Sequence, residues 1–285
     1  MPEPTVPTIP TVVLGNNTKI PVLGLASWGW SESAPDSITQ SVKDAIDLGY
    51  RFFDSTPGKN EEEIGEAIYA KIKEGVVKRE EIYLVGKLSD SKAFHKPELI
   101  KETLMTTLRH LNVAYLDLYV IDCPEGNSMF SGDAFVDTWY EMEKLVDNFL
   151  VKSIGVSNFN SELIKHLMNS ARFAPAVNQL ECPPSYTQRS IRDYCREKRI
   201  FITGYNVTAS SSLIEDPVIV DLAKKYSKTA EQILLRYQID MGHIALSQLQ
   251  TKLQMKNNLE IFKFELSKGD LLSMEKLDRR TKIYV

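Results

Sequence analysis

Short runs of β-branched and aliphatic residues alternate with amphipathic helical segments from one end of this chain to the other. No linker or change in composition interrupts the pattern, which constrains the fold more than any single residue does. Strands that alternate with helices predict an α/β protein built on one parallel sheet. The pattern predicts eight strands, at residues 20–25, 51–54, 82–87, 116–121, 151–156, 176–181, 200–205 and 243–246.

Helices are predicted between and after these strands, at residues 36–48, 60–75, 97–111, 134–147, 161–170, 187–198, 229–237, 252–262 and 267–277. Eight strands with intervening helices favour a (β/α)8 TIM barrel. An open doubly wound sheet is disfavoured, because no GxGxxG pattern follows the first strand. Residues 12–21, centred on Gly15, Asn16 and Asn17, predict a β-hairpin that closes the bottom of the barrel. We expect one domain over residues 1–285, with residues 1–11 as a flexible tail.

Composition and charge argue against several classes of function. A net charge of −4 gives no electrostatic case for binding nucleic acid or an anionic membrane. No apolar run approaches the roughly 18–20 residues that span a bilayer. The three cysteines are odd in number and far apart, which predicts a reducing cytoplasm rather than a disulfide framework. The four histidines are scattered, and no Cys/His spacing predicts a metal site.

In a TIM barrel the functional residues lie at the carboxyl ends of the strands. In this sequence a polar or aromatic residue stands at almost every predicted strand exit, namely Trp28, Asp54, Lys87, Asp122, Ser157, Asn158, Gln179 and Tyr205. This arrangement predicts a binding or catalytic site at that end of the barrel, or the remnant of one.

Three segments carry a resemblance to the aldo-keto reductases of the animal, aldose-reductase-like type: DLGYRFFD at 47–54, KSIGVSNFN at 152–160 and AVNQLEC at 176–182. Weaker matches are GVVKRE at 75–80 and ELS at 265–267, and the resemblance extends over residues 12–280. It implies a monomeric TIM barrel that reduces carbonyls by hydride transfer from NADPH.

The resemblance also implies a degenerate catalytic site. The family uses a tyrosine as proton donor, a lysine that lowers the pKa of that tyrosine, an aspartate that holds the lysine, and a histidine that orients the carbonyl. Asp54 and Lys87 match the aspartate and the lysine. The loop after Asp54 is one residue short, so that Gly58 or Lys59 falls at the tyrosine. Asp122 stands where the family has its histidine.

These substitutions oppose the family reaction. A hydride that reaches a carbonyl carbon builds negative charge on the oxygen, which requires a proton donor and aimed hydrogen bonds. The loss of one such donor typically lowers the rate by ~10²–10³. An ionised Asp122 would repel the developing charge, and only desolvation that kept it protonated would prevent this.

The matching residues for the cofactor fall into two groups. Ser157, Asn158 and Gln179 match the residues that hold the nicotinamide carboxamide, Tyr205 matches the aromatic that stacks on the ring, and Asn258 matches the adenine contact. Gln248 and Gln254 replace the two cations that bind the 2′-phosphate of NADP. Each lost charge-assisted contact is worth about 1.5–3 kcal/mol. We therefore expect weak binding, or none, of NADPH and NADH.

The predicted substrate pocket differs from the family pattern as well. Trp28 is retained, whereas Ser89 and Cys123 stand where aromatic residues are common.

Structural roles also account for several of the matches to the family. Asp54 and Lys87 could persist only as a buried ion pair, with Asp122 as a second partner of Lys87, and Ser157 and Asn158 could cap the following helix.

Three functional hypotheses follow. The first is a pseudoenzyme kept for a binding, regulatory or structural role, with a small apolar ligand or a protein as its partner. The second is an NAD(P)(H)-dependent oxidoreductase that acts on carbonyl or alcohol substrates with altered chemistry. The third is a redox-independent acid–base enzyme that uses Asp54, Lys87 and Asp122.

Overall fold

Eight parallel strands close into a barrel in the computed structural model, which describes residues 8–27, 37–89, 96–122, 134–206, 211–248 and 251–280. The closed order is β10-β3-β4-β5-β6-β7-β8-β9, and each strand pairs in parallel with both neighbours. These strands are β3 Leu23–Ala26, β4 Phe52–Asp54, β5 Tyr83–Leu88, β6 Leu118–Asp122, β7 Ile154–Ser157, β8 Val177–Glu181, β9 Phe201–Tyr205 and β10 Ile244–Gln248. The predicted (β/α)8 barrel is confirmed.

The predicted hairpin precedes the barrel. Its strands, β1 Thr11–Val13 and β2 Lys19–Pro21, pair antiparallel, and Asn17 takes the left-handed conformation in the turn with φ 65°. Leu14 and Ile20 are buried in the same cluster as Tyr83 and Ile244, the first residues of β5 and β10. The hairpin therefore closes the end of the barrel where the strands begin.

The predicted bounds of the first strand were wrong. One strand was predicted at 20–25, but the chain divides it between β2 of the hairpin and β3 of the barrel. Val22 lies between them and donates from its backbone N to the carbonyl O of Pro10 over 2.9 Å. Ile20 and Leu23 are both buried, but in two different hydrophobic clusters. The sequence shows only one apolar run, so the boundary between the two strands was not visible in it.

The helices pack around the barrel and begin at recognisable caps. Thr229 and Gln232 form a capping box, as do Ser267 and Asp270. The helices are Ile38–Asp47, Glu61–Lys73, Ile100–His110, Ala134–Asp147, Ser161–Met168, Arg189–Glu197, Ser211–Ile214, Pro217–Tyr226, Ala230–Asp240, Lys252–Asn258 and Lys268–Glu275, with 3₁₀ turns at Arg79–Glu81, Pro97–Leu99 and Leu259–Lys263.

Two of these helices, Ser211–Ile214 and Pro217–Tyr226, were not predicted. The signal for the second was present in the sequence, because Asp216 caps it through a hydrogen bond from the backbone N of Val218 and Pro217 occupies its first turn.

The end of the predicted N-terminal tail is ordered against the barrel. Ile9 is buried and Thr11 belongs to β1, so this end of the predicted tail packs on the barrel.

Cys182 and Cys195 are buried free thiols, and burial raises the pKa of Cys182 to about 12 and that of Cys195 to about 11. Within the described ranges no helix has the length and apolar character to cross a membrane.

Candidate active site

Period-two alternation along the barrel strands places the polar residues at the mouth. The lower interior is apolar and includes Phe52, Val85, Val120, Val177 and Leu246. Because side chains two positions apart face the same side of a strand, the next inward positions are Asp54, Lys87, Asp122, Gln179 and Gln248. The strands therefore carry these five residues to the carboxyl end of the barrel, where the sequence predicted a site.

Asp54 and Lys87 form a buried ion pair at the centre of this mouth. Lys87 Nζ donates to Asp54 Oδ1 in close contact, and the two side chains are 7% and 0% exposed. Gln179 Nε2 donates to the other carboxylate oxygen, Asp54 Oδ2, over 2.6 Å. Both oxygens of Asp54 are thus engaged, and strands β4, β5 and β8 are joined by one polar network.

Gly58 and Lys59, which the family resemblance places at the tyrosine, lie in a tight turn. Gly58 has φ +66°, and a Cβ on it would meet nothing within 4 Å. Lys59 is exposed and donates from its backbone N to the carbonyl O of Thr56 over 3.1 Å. Asn60 is also left-handed, with φ 64°. Neither candidate position carries a phenol, and both are turned toward open space or solvent.

Asp122 ends β6 and is half-buried. Ser89 Oγ donates to Asp122 Oδ2 over 3.1 Å. Among the described residues the hydrogen-bond partner of Asp122 is therefore Ser89 rather than Lys87. The hypothesis that Asp122 shares Lys87 with Asp54 was wrong, because the Asp122 carboxylate accepts from Ser89, and among the described residues the carboxylate partner of Lys87 is Asp54.

Tyr205 is the phenol at the end of β9. Its hydroxyl donates to Asn158 Oδ1 over 3.1 Å, and the ring is half-buried. Burial, together with the charges of Glu181 and Asp122, raises the pKa of Tyr205 to about 12, although the hydrogen bond to Asn158 opposes the shift. The family chemistry requires a proton donor whose pKa is lowered, so the environment of Tyr205 shifts this group in the opposite direction.

The helix after β7 is capped by Asn160 and not by Ser157 or Asn158. Asn160 Oδ1 accepts from the backbone N of Leu163 over 2.9 Å. The capping role assigned to Ser157 and Asn158 was therefore wrong. Asn158 instead takes a left-handed conformation, with φ 57°, and its backbone N donates to the carbonyl O of Gln179 over 2.9 Å. This places Ser157 and Asn158 next to Gln179 at the mouth.

The two residues that the family resemblance assigns to the 2′-phosphate of NADP, Gln248 and Gln254, are neutral amides. Gln254 Oε1 accepts from Thr251 Oγ1 over 2.8 Å and completes the capping box of the helix Lys252–Asn258. Gln248 is half-buried at the end of β10, and Asn258 Nδ2 donates to Ser247 Oγ over 3.2 Å. Lys252, a cation on the same helix, is paired with Asp44 at 3.0 Å.

Gln179, Asn158 and Tyr205, which the family resemblance assigns to the nicotinamide, lie together at the mouth. Gln248 and Gln254, which it assigns to the 2′-phosphate, are neutral amides and offer that group no charge. Two buried oxygens on β9 and just after it, Thr203 Oγ1 and Asn206 Oδ1, have no hydrogen-bond partner among the residues that the structure describes. Neither was recognised from the sequence, where a lone threonine and asparagine carry no signal.

Of the predicted pocket residues, Ser89 is exposed at the mouth. Trp28 and Cys123 lie outside the described residues.

A sequence profile of the Aldo/keto reductase family matches residues 22–279. This chain belongs to the aldo-keto reductase family. It is 35% identical to aldo-keto reductase family 1 member C18 of Mus musculus, over 97% of this chain and 94% of that protein. It is also 35% identical to prostaglandin-E(2) 9-reductase of Oryctolagus cuniculus, over 96% and 93%.

The fold of this aldo-keto reductase is also that of a solved relative. A Bombyx mori aldo-keto reductase, crystallised in complex with NADP, superposes with a TM-score of 0.89 at 30% identity. The match covers 98% of this chain and 95% of the other. The family and the fold are thus established by both comparisons.

Proposed function

We propose that this aldo-keto reductase is a pseudoenzyme, a family member that binds a ligand at its barrel mouth without reducing carbonyls at the rate of an enzyme. The observation that carries the proposal is the turn at Gly58 and Lys59. The family resemblance assigns the proton donor to this turn, which carries a left-handed glycine and an exposed lysine.

The remaining groups at the mouth do not replace that donor. Lys87 is engaged by Asp54, and the raised pKa of Tyr205 weakens it as an acid. Asp122 adds a carboxylate at the position from which the family histidine orients the carbonyl. Loss of the donor alone would lower the rate by ~10²–10³, and an ionised carboxylate near the developing oxyanion would lower it further.

We further propose that NADPH binds weakly and without preference over NADH. Two lost phosphate contacts of about 1.5–3 kcal/mol each weaken NADPH by about a hundredfold or more. The nicotinamide residues remain close together, and the unpartnered oxygens of Thr203 and Asn206 are acceptors for a ligand donor. In this proposal the protein is a cytoplasmic monomer, and it binds a small apolar ligand or a protein partner.

An NAD(H)-dependent oxidoreductase is the second candidate. The intact network of Lys87, Asp54 and Gln179 favours it, and so does the family membership. NAD(H) lacks the 2′-phosphate that Gln248 and Gln254 fail to match. The third hypothesis, acid–base chemistry on Asp54, Lys87 and Asp122, has less support, because the partner of Asp122 is Ser89.

The test combines cofactor titration with a turnover assay on the full chain. NADPH and NADH are titrated by fluorescence and calorimetry, and a panel of aldehydes and ketones is then assayed with each. Weak and equal binding with no turnover above the uncatalysed rate supports the pseudoenzyme. Turnover with NADH alone supports the second candidate, and ordinary NADPH-dependent turnover contradicts the proposal.

A further inference from the structure

A cavity of about 550 Å³ lies at the opposite end of the barrel from the mouth. It is enclosed by the hairpin, the end of the helix Arg189–Glu197, the start of β9 and the turn before β10. Its apolar wall consists of Val13, Leu14, Ile200, Phe201, Ile202 and Met241. We call it the basal cavity. Its volume is in the range of small-molecule sites.

The basal cavity is basic although the protein is acidic. Three arginines line it, Arg192, Arg196 and Arg199, and none of the described lining residues is a carboxylate. The chain as a whole carries a net charge of −4. The positive lining is therefore a local arrangement and does not follow from overall composition.

The three arginines differ in their partners. Arg192 is buried, and its NH2 group donates to Glu275 Oε1 over 2.7 Å. Arg196 is paired with Asp193. Arg199 is exposed and forms no ion pair with any residue that the structure describes. A guanidinium without a carboxylate partner, at the rim of an apolar cavity, has donors available for a bound anion.

Stabilisation of the helix C-terminus explains only part of this arrangement. Cations in the last turn offset the partial negative charge of the helix end, which accounts for Arg196. Arg199 lies beyond the C-cap residue Lys198 and has a left-handed backbone, with φ 58°. It also lines a second cavity of about 470 Å³, together with Lys152 and Arg172, and Gly15 is common to both cavities. Arg199 thus stands between two basic surfaces.

His243 forms part of the cavity wall and is neutral. Gln238 Nε2 donates to the carbonyl O of Cys182 over 2.8 Å, which fixes Gln238 Oε1 as an acceptor. His243 Nδ1, 2.8 Å from that oxygen, must therefore carry the proton. Burial, together with the charges of Arg192 and Arg196, lowers the pKa of His243 to about 3. The positive charges of Arg192 and Arg196 therefore act on the cavity wall, although each of these arginines has a carboxylate partner.

We propose that the basal cavity binds an organic anion, a medium-sized apolar body that carries one carboxylate. The apolar body lies against Leu14, Ile200 and Met241, and the carboxylate meets the guanidinium groups of Arg199 and Arg196 at the rim. Arg is suited to this role because its planar fork matches a carboxylate in bidentate geometry. The proposal concerns the end of the barrel away from Asp54 and Lys87, so it is independent of the function proposed for the mouth.

The test uses octanoate and its neutral counterpart, octan-1-ol, as probes in calorimetric titrations of the full chain. Octanoate is expected to bind, and octan-1-ol to bind more weakly. Arg199→Gln should weaken octanoate roughly three- to tenfold, as expected for one partly solvated charge contact, and leave octan-1-ol unchanged. Arg109→Gln is the matched control, because Arg109 is an exposed arginine on another helix.

A second variant separates the basal cavity from the mouth. Asp122→Asn changes a charge at the mouth and should leave octanoate affinity unaltered. The proposal is overturned if octanoate does not bind at millimolar concentration, or if octan-1-ol binds equally well. It is also overturned if Arg109→Gln weakens octanoate as much as Arg199→Gln does. Thermal unfolding of each variant checks that it is folded, and Arg196→Gln replaces Arg199→Gln if the latter is not.

Discussion

Gln179 Nε2 donates to Asp54 Oδ2 over 2.6 Å, on the same carboxylate that accepts from Lys87 through its other oxygen. The two residues are 125 positions apart in the chain and meet because β4 and β8 both end at the mouth. The amide that the family resemblance assigns to nicotinamide is therefore also a structural partner of the buried ion pair.

Removal of Lys87 should be far more destabilising than removal of an exposed lysine. Lys87→Met leaves Asp54 charged and buried, and we expect a loss of about 3–5 kcal/mol in the free energy of unfolding. Lys198→Met breaks a pair with Glu197 that water screens, and it should change the free energy of unfolding little. Urea denaturation measures both. Adding Asp54→Asn to Lys87→Met should recover part of the loss, and equal effects of the two single variants would contradict the prediction.

A cation at position 248 should restore preference for NADPH. Gln248→Lys places a charge where the family binds the 2′-phosphate, and we expect NADPH to bind roughly tenfold more tightly. NADH lacks that phosphate and should change little. Fluorescence titration of both cofactors gives the ratio. Gln40→Lys adds the same charge at an exposed site and should not alter it. An equal gain for NADH would show a general electrostatic effect instead.

The interior of the barrel was predictable because it follows a period of two. Once Phe52, Val85, Val120 and Val177 point inward, the positions two residues later must face the mouth. The sequence could not show which of those residues would pair, since Gln179 reaches Asp54 only after the barrel closes. For the same reason it could not show that Asp122 would turn to Ser89 and not to Lys87.

Other features were readable but were missed. Thr251 and Gln254 have the spacing of a capping box, which explains the role of Gln254 independently of any cofactor. Asp216 and Pro217 mark the start of a helix. Arg192 and Arg196 have the spacing of one helix face, and Arg199 follows the end of that helix, but the basal cavity forms only where the folded hairpin meets them.

Buried tyrosines should make the protein lose stability at alkaline pH. The pKa of Tyr205 rises from 10.0 to about 12, so between these values the folded protein holds a proton that the unfolded chain has released. The contribution of Tyr205 to the free energy of unfolding is fully present below pH 10. It is lost as pH rises toward 12, by up to about 1.4 kcal/mol per pH unit. Tyr205→Phe should therefore reduce the slope of the unfolding free energy against pH from 10 to 12. An unchanged slope would contradict the burial of the hydroxyl.

Buried His243 should produce the opposite dependence in acid. Its pKa falls from 6.5 to about 3, so between these values the unfolded chain binds a proton that the folded protein does not. This contribution to stability is complete above pH 6.5 and is lost as pH falls toward 3, by up to about 1.4 kcal/mol per pH unit. His243→Asn keeps a donor for Gln238 and cannot titrate, so its unfolding free energy should fall less steeply between pH 6 and 4. Urea denaturation at half-unit pH intervals measures the difference. If both proteins show the same slope, His243 is solvated and the wall of the basal cavity is more open than the hydrogen bonds to Gln238 indicate.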